Sequence, residues 1–306
     1  MSEIILHHYW TSPFSETVRM ALGAKRLAWR SVEQPVIMPK PHLTPLTGGY
    51  RRIPVMQIGA DLYCDSQLIL RELERRFPNP ALVQPGEAGV GWAVRAWVER
   101  SFFQTSVGLI FGAIADSVPE AFLKDREALS GRAFDTAAMK AAAPLLKGQW
   151  RAQAEWIEAQ LSVGGPFLAG AAVGLSDVAA AMPFWWVRAA LGDAAAPLTA
   201  GLTHVEAWMA RIRALGHGTH TPMAPEEAVG VARDTQPEAA RASSSEIQGL
   251  SAGQNAIVMA DDYGRDPIAG LVHFVDAQEI AITRESPETG TVCVHFPRAG
   301  YVARAA

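Results

Sequence analysis

The chain has only two cysteines, Cys64 and Cys293, and they lie far apart in its 306 residues. Two isolated thiols do not form the disulfide framework of small secreted domains, and no Cys/His spacing is typical of a metal site. The first residues contain no basic stretch followed by an apolar run, so we expect no secretory signal and a cytoplasmic location. No uncharged apolar run reaches about 18 residues, so we expect no membrane span.

The charges are nearly balanced, with 27 Lys and Arg against 31 Asp and Glu and a net charge of −4. Because there is no basic excess, we expect neither nucleic acid nor an anionic membrane surface as a partner. Hydrophobic residues make up 49% of the chain and charged residues 19%, as in ordinary globular proteins. The length is sufficient for two or three domains with buried cores.

The first 80 residues alternate between β-prone and helical segments. An apolar segment at 3–9 predicts a strand. Ser12 followed by Pro13 predicts the start of a helix, because serine is a good N-cap and proline fits the first helical position. The next elements are predicted as a strand, a loop, a hairpin and a helix, at 29–37, 38–52, 53–63 and from Ser66 onward. This order is that of an α/β thioredoxin-like domain.

Composition divides the rest of the chain into a helical part and a β-rich part. Residues 78–86 contain three prolines and a glycine, which predicts a linker, and the pattern from about 88 to 216 is helical. After a polar segment at 242–254, short alternating segments predict an all-β meander, which we expect to dock on the helical domain or on a second subunit. The predicted units are a thioredoxin-like domain at 1–80, an all-helical domain at 87–241 and a small β domain at 245–306.

Ser12 is the first candidate for chemistry. A hydroxyl at a helix N-terminus lies among unpaired backbone N–H groups and the positive end of the helix dipole, which stabilises an anion. Lowering the pKa of a thiol by ~2 units takes roughly 2.7 kcal/mol, and one hydrogen bond to a charged acceptor contributes roughly 1.5–3 kcal/mol. Ser12 therefore either activates a bound thiol or only caps its helix, and this segment alone favours the cap.

Two further segments are suited to hold a peptide-like ligand. If Pro54 follows a cis peptide bond, the turn exposes the backbone of Val55 to an extended peptide, whereas a trans proline at an edge strand does not. Asp65 and Ser66 precede a helix. We expect Ser66 to cap this helix, its N-terminus to receive a carboxylate and Asp65 to pair with an ammonium group. Taken alone, plain capping is the favoured explanation of the pair.

In combination and order, these segments resemble the cytosolic glutathione transferases over residues 3–221. The resemblance is carried by the segments 9–19, 52–55, 65–69 and 167–177. It implies an all-helical second domain after the thioredoxin-like one, a homodimer, and glutathione as co-substrate without a further cofactor. The β domain lies outside this resemblance.

The resemblance also implies roles for single residues. Ser12 corresponds to the hydroxyl that faces the glutathione sulfur, Pro54 to the family's cis-proline and Val55 to the backbone partner of the cysteinyl part. Asp65 and Ser66 correspond to the pair that holds the γ-glutamyl group. The residues assigned to glutathione binding are Ser12, His42, Arg52, Ile53, Pro54, Val55, Asp65 and Ser66, of which His42 and Arg52 are placed near the glycine carboxylate.

The pocket for a small hydrophobic electrophile is expected between the two domains. The candidates for its apolar walls are Trp10, Phe14, Phe102 and Phe103. For Phe111 and Trp185 we favour ordinary core packing instead.

Three functions follow as hypotheses. The first is a glutathione transferase, which conjugates the glutathione thiolate to a small hydrophobic electrophile or acts on a peroxide. The second is a non-catalytic glutathione-binding or scaffold protein of the same fold. The third is a thiol–disulfide oxidoreductase that uses Cys64, and it ranks last because the neighbouring Asp65 raises a thiol pKa.

Overall fold

A computed structural model of the chain describes residues 3–243 and 246–306. Its strands are β1 (Ile5–His8), β2 (Ala28–Glu33), β3 (Val55–Ile58), β4 (Asp61–Cys64), β5 (Thr219–Pro222), β6 (Asn255–Ala260), β7 (Ile268–Val275), β8 (Glu279–Ser286), β9 (Gly290–Pro297) and β10 (Tyr301–Ala305). Its helices are α1 (Pro13–Ala24), α2 (Leu43–Thr47), α3 (Ser66–Arg76), α4 (Val90–Trp97), α5 (Phe103–Ala113), α6 (Glu120–Ser130), α7 (Thr136–Ala141), α8 (Ala143–Gly164), α9 (Leu175–Leu191), α10 (Ala196–Thr199), α11 (Thr203–Leu215) and α12 (Pro225–Arg233). Within the described residues, no helix is both long and apolar enough to cross a membrane.

The first domain has the predicted thioredoxin-like order. Strand β1 pairs in parallel with β2 and antiparallel with β3, and β3 forms a hairpin with β4. Helices α1 and α3 pack together on this sheet, with Val18, Leu22 and Leu73 fully buried in the same core. The predicted loop at 38–52 contains the short helix α2. This domain carries the two helix N-termini, at Ser12 and Asp65, around which the site is built.

The second domain is helical, as expected. A π-helical segment, Val98–Phe102, joins α4 to α5, so that one long helix runs from Val90 to Ala113. Aromatic side chains fill its core: the ring of Phe184 lies 5.5 Å from Phe102, 5.1 Å from Trp150 and 5.8 Å from Trp208.

The C-terminal strands extend the sheet of the first domain. The ten strands of the described residues have the order β10-β6-β7-β8-β9-β4-β3-β1-β2-β5. The predicted meander is present as β6 to β9, and β9 pairs in parallel with β4, with Cys293 opposite Asp61. The expected docking on the helical domain or a second subunit is therefore not the main contact of this segment. The limits of the three units remain a prediction.

The first domain and the extension also share a hydrophobic core. Leu43 and Leu46 of α2 and Leu62 of β4 are fully buried in one cluster with Val294 and Phe296 of β9. A core shared in this way couples the extension to the part of the chain that carries the candidate site.

A buried group of charges links the same two segments. His295 of β9 contacts Glu279 with Nδ1, at 2.7 Å, and Asp61 of β4 with Nε2, at 3.0 Å. Burial alone would lower the pKa of His295, but Cys293 and the two carboxylates raise it well above its ordinary value. The imidazolium is thus held between two carboxylates, one from each side of the junction.

Candidate functional site

Ser12 caps α1, as predicted. Its backbone is extended, its Oγ accepts a hydrogen bond from the Ser15 backbone N–H at 3.2 Å, and Pro13 takes the first helical position. The residue is only 1% exposed, yet it lines a cavity of about 870 Å³ between the first and the helical domain. Capping uses an acceptor lone pair of Ser12, so its hydroxyl proton is still available to a ligand.

Arg19 fixes the turn that leads to Ser12. Its guanidinium is fully buried and donates to the backbone oxygens of Trp10, at 2.8 Å, and Tyr9, at 3.3 Å. It also pairs with Glu16 at 2.6 Å. Burial opposes the ionisation of Glu16, but a hydrogen bond with His217 and the charge of Arg19 lower its pKa below the usual value. The turn before α1 is therefore held by an ionised, buried pair.

The larger cavity is apolar where it enters the helical domain. Phe14 and Phe103 line it, with ring centroids 4.7 Å apart, in agreement with their expected place. Phe111 lines it as well, although we favoured core packing for this residue. The further apolar lining comes from Val107, Ile110, Ile114, Phe122, Phe134, Met139 and Trp186.

The structure places the other expected wall residues elsewhere. Phe102 is fully buried in the core of the helical domain, where its ring faces Trp150 and Phe184. Trp10 is 38% exposed and packs with His8 and His220, outside the cavity lining. Both residues must be removed from the predicted pocket.

Basic and hydroxyl groups that we did not predict share the larger cavity with Ser12. Tyr9 and Lys40 line the same cavity. Burial raises the pKa of Tyr9, while the charge of Arg126 opposes that rise. Burial, reinforced by the charge of Arg126, lowers the pKa of Lys40 to about 8. Arg51 and Arg126 also line the cavity and both pair with Asp125.

A second, smaller cavity of about 170 Å³ adjoins the first and is more polar. Both cavities are lined by Arg52 and Ile53, and the smaller one also by Pro54, Asp65 and Ser66. The Ile53–Pro54 peptide bond is cis, as the resemblance implied. The structure therefore brings most of the predicted glutathione residues to two adjoining cavities.

Two predicted residues are not part of either lining. His42 lies at the surface, where its Nε2 is 3.1 Å from Glu226. Val55 opens β3 with its side chain fully buried in the core. We therefore correct the placement of His42, and for Val55 only its backbone is left as a possible contact.

Asp65, not Ser66, caps α3. Its φ of 75° is unusual for a residue other than glycine, and its carboxylate accepts a hydrogen bond from the Gln67 N–H at 2.8 Å. The same carboxylate contacts the Arg95 guanidinium at 3.0 Å. Ser66 occupies the first helical position instead, where its Oγ donates to Glu99 at 3.1 Å. Because Ser66 lies inside the helix, its hydroxyl is directed to a side chain of α4–α5 rather than to the helix end.

The C-terminal extension reaches the smaller cavity. Tyr301 of β10 donates from its hydroxyl to Asp65 Oδ2 at 3.1 Å. The loop between β6 and β7 places Asp262 against the guanidinium of Arg52 and the ring of Tyr263 over it, 4.0 Å from the guanidinium carbon. Sequence reasoning missed these residues, because it treated the extension as a separate unit.

Cys64 does not form a reactive thiol. Its side chain is fully buried, and burial together with the charge of Asp65 raises its pKa well above the ordinary value. A thiol protonated in this way is a poor nucleophile, which agrees with the last rank of the oxidoreductase hypothesis.

Comparison with known proteins agrees with this fold. The family model for the N-terminal domain of glutathione S-transferases matches residues 6–81, and a model for a domain of unknown function matches residues 113–219. A GST-like protein from Pseudomonas syringae, solved by crystallography, is 33% identical, with all of both chains covered and a TM-score of 0.83. The chain therefore belongs to the glutathione S-transferase family.

More distant relatives lack such full coverage. Two curated Arabidopsis thaliana proteins, glutathione S-transferases U4 and U10, are 28% and 26% identical over 83 and 126 residues. These matches cover 27% and 41% of this chain but only 37% and 53% of the relatives. A Tau class glutathione S-transferase from mango shares the fold, with a TM-score of 0.54 at 19% identity over 69% of this chain and 89% of that one.

Proposed function

We propose that this protein is a glutathione transferase in which the Ser12 hydroxyl donates a hydrogen bond to the glutathione thiolate. The observation that carries the proposal is the position of Ser12, at the N-terminus of α1 and on the lining of a cavity that adjoins the polar pocket. In this place a sulfur anion would receive the serine hydroxyl and the positive end of the helix.

The two cavities suggest how the tripeptide is arranged. The γ-glutamyl group would occupy the smaller cavity, where Asp65 can accept from its ammonium and Ser66 lies at the start of α3. The cysteinyl part would follow Ile53 and Pro54 towards Ser12. The glycine carboxylate would lie on the basic side of the larger cavity, near Arg52.

In the proposed reaction the protein stabilises the thiolate and the solvent accepts the proton. Binding beside Ser12 favours the thiolate over the thiol, and the released proton leaves to water. The sulfur then forms a bond to an electrophilic carbon, and the leaving group departs with the electron pair of the broken bond. A shift of ~2 pKa units in the thiol corresponds to roughly a hundredfold change in thiolate population at a pH below both pKa values.

The apolar wall of the larger cavity supports a hydrophobic second substrate. Its wall on the side of the helical domain consists of aromatic and aliphatic side chains, among them Phe14, Phe103, Phe111 and Trp186. Such a surface favours a small hydrophobic electrophile. The family membership also supports a homodimer and a cytoplasmic location as further parts of the proposal.

The test compares Ser12→Ala with Ser15→Ala. Ser15 belongs to the same first turn, is buried and does not line either cavity, so that it is the matched control. The pKa of the bound thiol is read from the ultraviolet absorbance of the thiolate as a function of pH. We expect Ser12→Ala to raise this pKa by ~1–2 units and to lower turnover roughly 10- to 100-fold, while Ser15→Ala stays close to wild type. An unchanged thiol pKa and turnover in Ser12→Ala would remove the assigned role.

A non-catalytic glutathione-binding protein is the second candidate. It is favoured by the fact that Arg52 and Asp65 both contact side chains of the protein itself, Asp262 in one case and Arg95 with Tyr301 in the other. Calorimetric binding of glutathione without turnover of a broad panel of electrophiles would favour this candidate over the transferase.

A further inference from the structure

The larger cavity carries an excess of positive charge. Its lining contains two acidic side chains, Glu99 and Asp262, and six basic ones, which are Lys40, Arg51, Arg52, Arg100, Arg126 and Arg132. Both acidic groups already contact arginines, since Glu99 lies 2.6 Å from Arg95 and Asp262 is paired with Arg52. The lining therefore attracts a bound anion.

Part of this excess lies where α6 meets the first domain. The carboxylate of Asp125 in α6 pairs with both Arg51 and Arg126, so that one anion serves two cations. The ammonium group of Lys40 is buried and donates to the backbone oxygen of Pro35, and in the described part of the chain no carboxylate forms an ion pair with it. Burial and the charge of Arg126 lower the pKa of Lys40 to about 8, as expected where positive charge is not fully compensated.

Arg126 and Arg132 bring positive charge to the aromatic wall of the helical domain. Arg126 lies in α6, Arg132 follows the end of this helix, and both line the larger cavity but not the smaller one. The guanidinium of Arg126 lies 4.8 Å from the ring centroid of Phe122. The ring of Phe122 stacks on Phe111 at 5.4 Å, and Phe134 meets Phe111 edge to face at 4.9 Å. Cationic and aromatic groups thus share one wall.

The neighbours of Arg126 do not use all of its hydrogen-bonding capacity. Its polar contacts within the described residues, with the backbone oxygen of Val36 at 2.8 Å and with Asp125 at 3.1 Å, both use Nη2. Its Nε is buried and has no acceptor there. A carboxylate readily accepts hydrogen bonds from a guanidinium, so Arg126 is suited to a ligand anion.

Glutathione does not account for these two arginines. Its glycine carboxylate is assigned to Arg52 and its γ-glutamyl group to the smaller cavity, whereas Arg126 and Arg132 belong to the wall that would hold the second substrate.

We propose that the second substrate is a hydrophobic electrophile that carries an anionic group, such as a carboxylate, bound by Arg126 and Arg132 beside the aromatic wall. The inference rests on the proposed transferase function and specifies its substrate class. The chemical step is the one given above: the sulfur bonds to the electrophilic carbon, the leaving group departs with the electron pair, and the anionic group stays unchanged.

The experiment compares two electrophiles of similar shape and different charge, 4-chloro-3,5-dinitrobenzoate and its carboxamide. For each compound, kcat/KM with glutathione is divided by the rate constant of the uncatalysed reaction, so that intrinsic reactivity cancels. The proteins are wild type, Arg126→Gln, Arg132→Gln and Lys124→Gln. Lys124 is the matched control, because it lies in the same helix, is 73% exposed and is outside both linings, so that its replacement removes the same charge.

We expect wild type to favour the benzoate about tenfold, which corresponds to roughly 1.4 kcal/mol. Arg126→Gln should lose most of this preference and Arg132→Gln part of it, while Lys124→Gln keeps it. The dissociation constant of glutathione, measured calorimetrically, should be the same in wild type and Arg126→Gln.

Each other result has a definite meaning. If the normalised values of the two compounds are equal in wild type, if the carboxamide alone is conjugated, or if the ratio is the same in both arginine variants as in wild type, the substrate class is wrong while the proposed function stands. A loss of glutathione affinity in Arg126→Gln as large as the loss of the preference would assign this arginine to the tripeptide and also overturn the inference.

If neither compound is conjugated, and the uncharged 1-chloro-2,4-dinitrobenzene is not conjugated either, the proposed function fails and the inference fails with it. Conjugation of 1-chloro-2,4-dinitrobenzene alone overturns only the inference. Because Arg126 also contacts Val36 and Asp125, thermal unfolding checks the fold of Arg126→Gln. If that variant is unstable, the exposed Arg132 decides the outcome through Arg132→Gln.

Discussion

The hydroxyl of Tyr301, in the last strand, donates a hydrogen bond to the carboxylate of Asp65, which caps α3. The two atoms are 3.1 Å apart, although 236 positions separate the residues in the chain. The same hydroxyl lies 3.0 Å from that of Tyr50. Strand β10 thereby contributes directly to the pocket proposed for the γ-glutamyl group.

Replacing Tyr301 by Phe is expected to weaken glutathione binding about tenfold, because the Asp65 carboxylate loses the donor that holds it in position for the γ-glutamyl ammonium. Tyr50→Phe is the matched control, because it removes the contact between the two hydroxyls and keeps the bond from Tyr301 to Asp65. Isothermal titration calorimetry measures both constants. Equal losses in the two variants, or none in Tyr301→Phe, would contradict a direct role of the Tyr301 hydroxyl.

Replacing Arg19 by Met is expected to lower the free energy of unfolding by about 3–5 kcal/mol, because the backbone oxygens of Tyr9 and Trp10 lose their donor and Glu16 loses a buried partner. The comparison is Lys124→Met, which removes an exposed pair with Glu120 on α6 and should cost about 0.5 kcal/mol or less. Urea denaturation measures the free energy of unfolding of both variants. A cost for Arg19→Met no larger than that of the surface pair would show that the buried pair contributes little.

The acid stability of the protein should depend on His7. Burial lowers the pKa of His7 from 6.5 to about 4, and its ring contacts Gln57 and Gln34. Below pH 6.5 the unfolded chain therefore binds a proton that the folded protein does not, so the free energy of unfolding decreases as the pH falls from 6.5 towards about 4.

The variant His7→Gln should reduce this slope by about 1.4 kcal/mol per pH unit, the value for one proton. His8, whose pKa burial lowers to about 3, remains in the variant and keeps part of the dependence. Urea unfolding as a function of pH gives the slopes. If His7→Gln keeps the slope of wild type, His7 is protonated in the folded protein or does not titrate in this range.

Two glycines in helices should respond in opposite ways to replacement by alanine. At Gly23 in α1, a Cβ would lie 2.0 Å from the backbone oxygen of Gly216, so Gly23→Ala should destabilise by about 1–3 kcal/mol despite the better helix propensity of alanine. At Gly148 in α8 nothing lies within 4 Å, and Gly148→Ala should stabilise by about 0.5–1 kcal/mol. Thermal denaturation compares the two. Stabilisation by Gly23→Ala would mean that the turn at Gly216 moves away at little cost.

Local chemistry made the first domain predictable. Ser12 and Pro13 are the preferred residues of a helix start, and the structure has α1 begin there. In the C-terminal extension, the alternation of apolar residues likewise predicts a strand at Ile268–Val275, which are the observed limits of β7. These signals depend on neighbours within a few residues, so the sequence contains them in full.

Contacts between distant segments were not predictable in this way. Nothing near Tyr301 or Asp262 in the sequence indicates that β9 pairs with β4 and thereby brings them to Asp65 and Arg52. Phe102 and Phe103 illustrate a second limit. Adjacent positions on a helix point in directions about 100° apart, and the π-helical segment that ends at Phe102 shifts the phase further, so the pattern did not separate the core residue from the cavity residue.

The parallel pairing of β9 with β4 has a consequence for solubility. An unpaired strand displays a row of backbone N–H and C=O groups that recruits strands from other molecules. In this chain, β9 pairs with that edge of β4, with Val294 opposite Leu62 and His295 opposite Tyr63. In a protein shortened to its first two domains, the backbone groups at this edge of β4 and the apolar face around them would be exposed to solvent. We expect such a protein to aggregate.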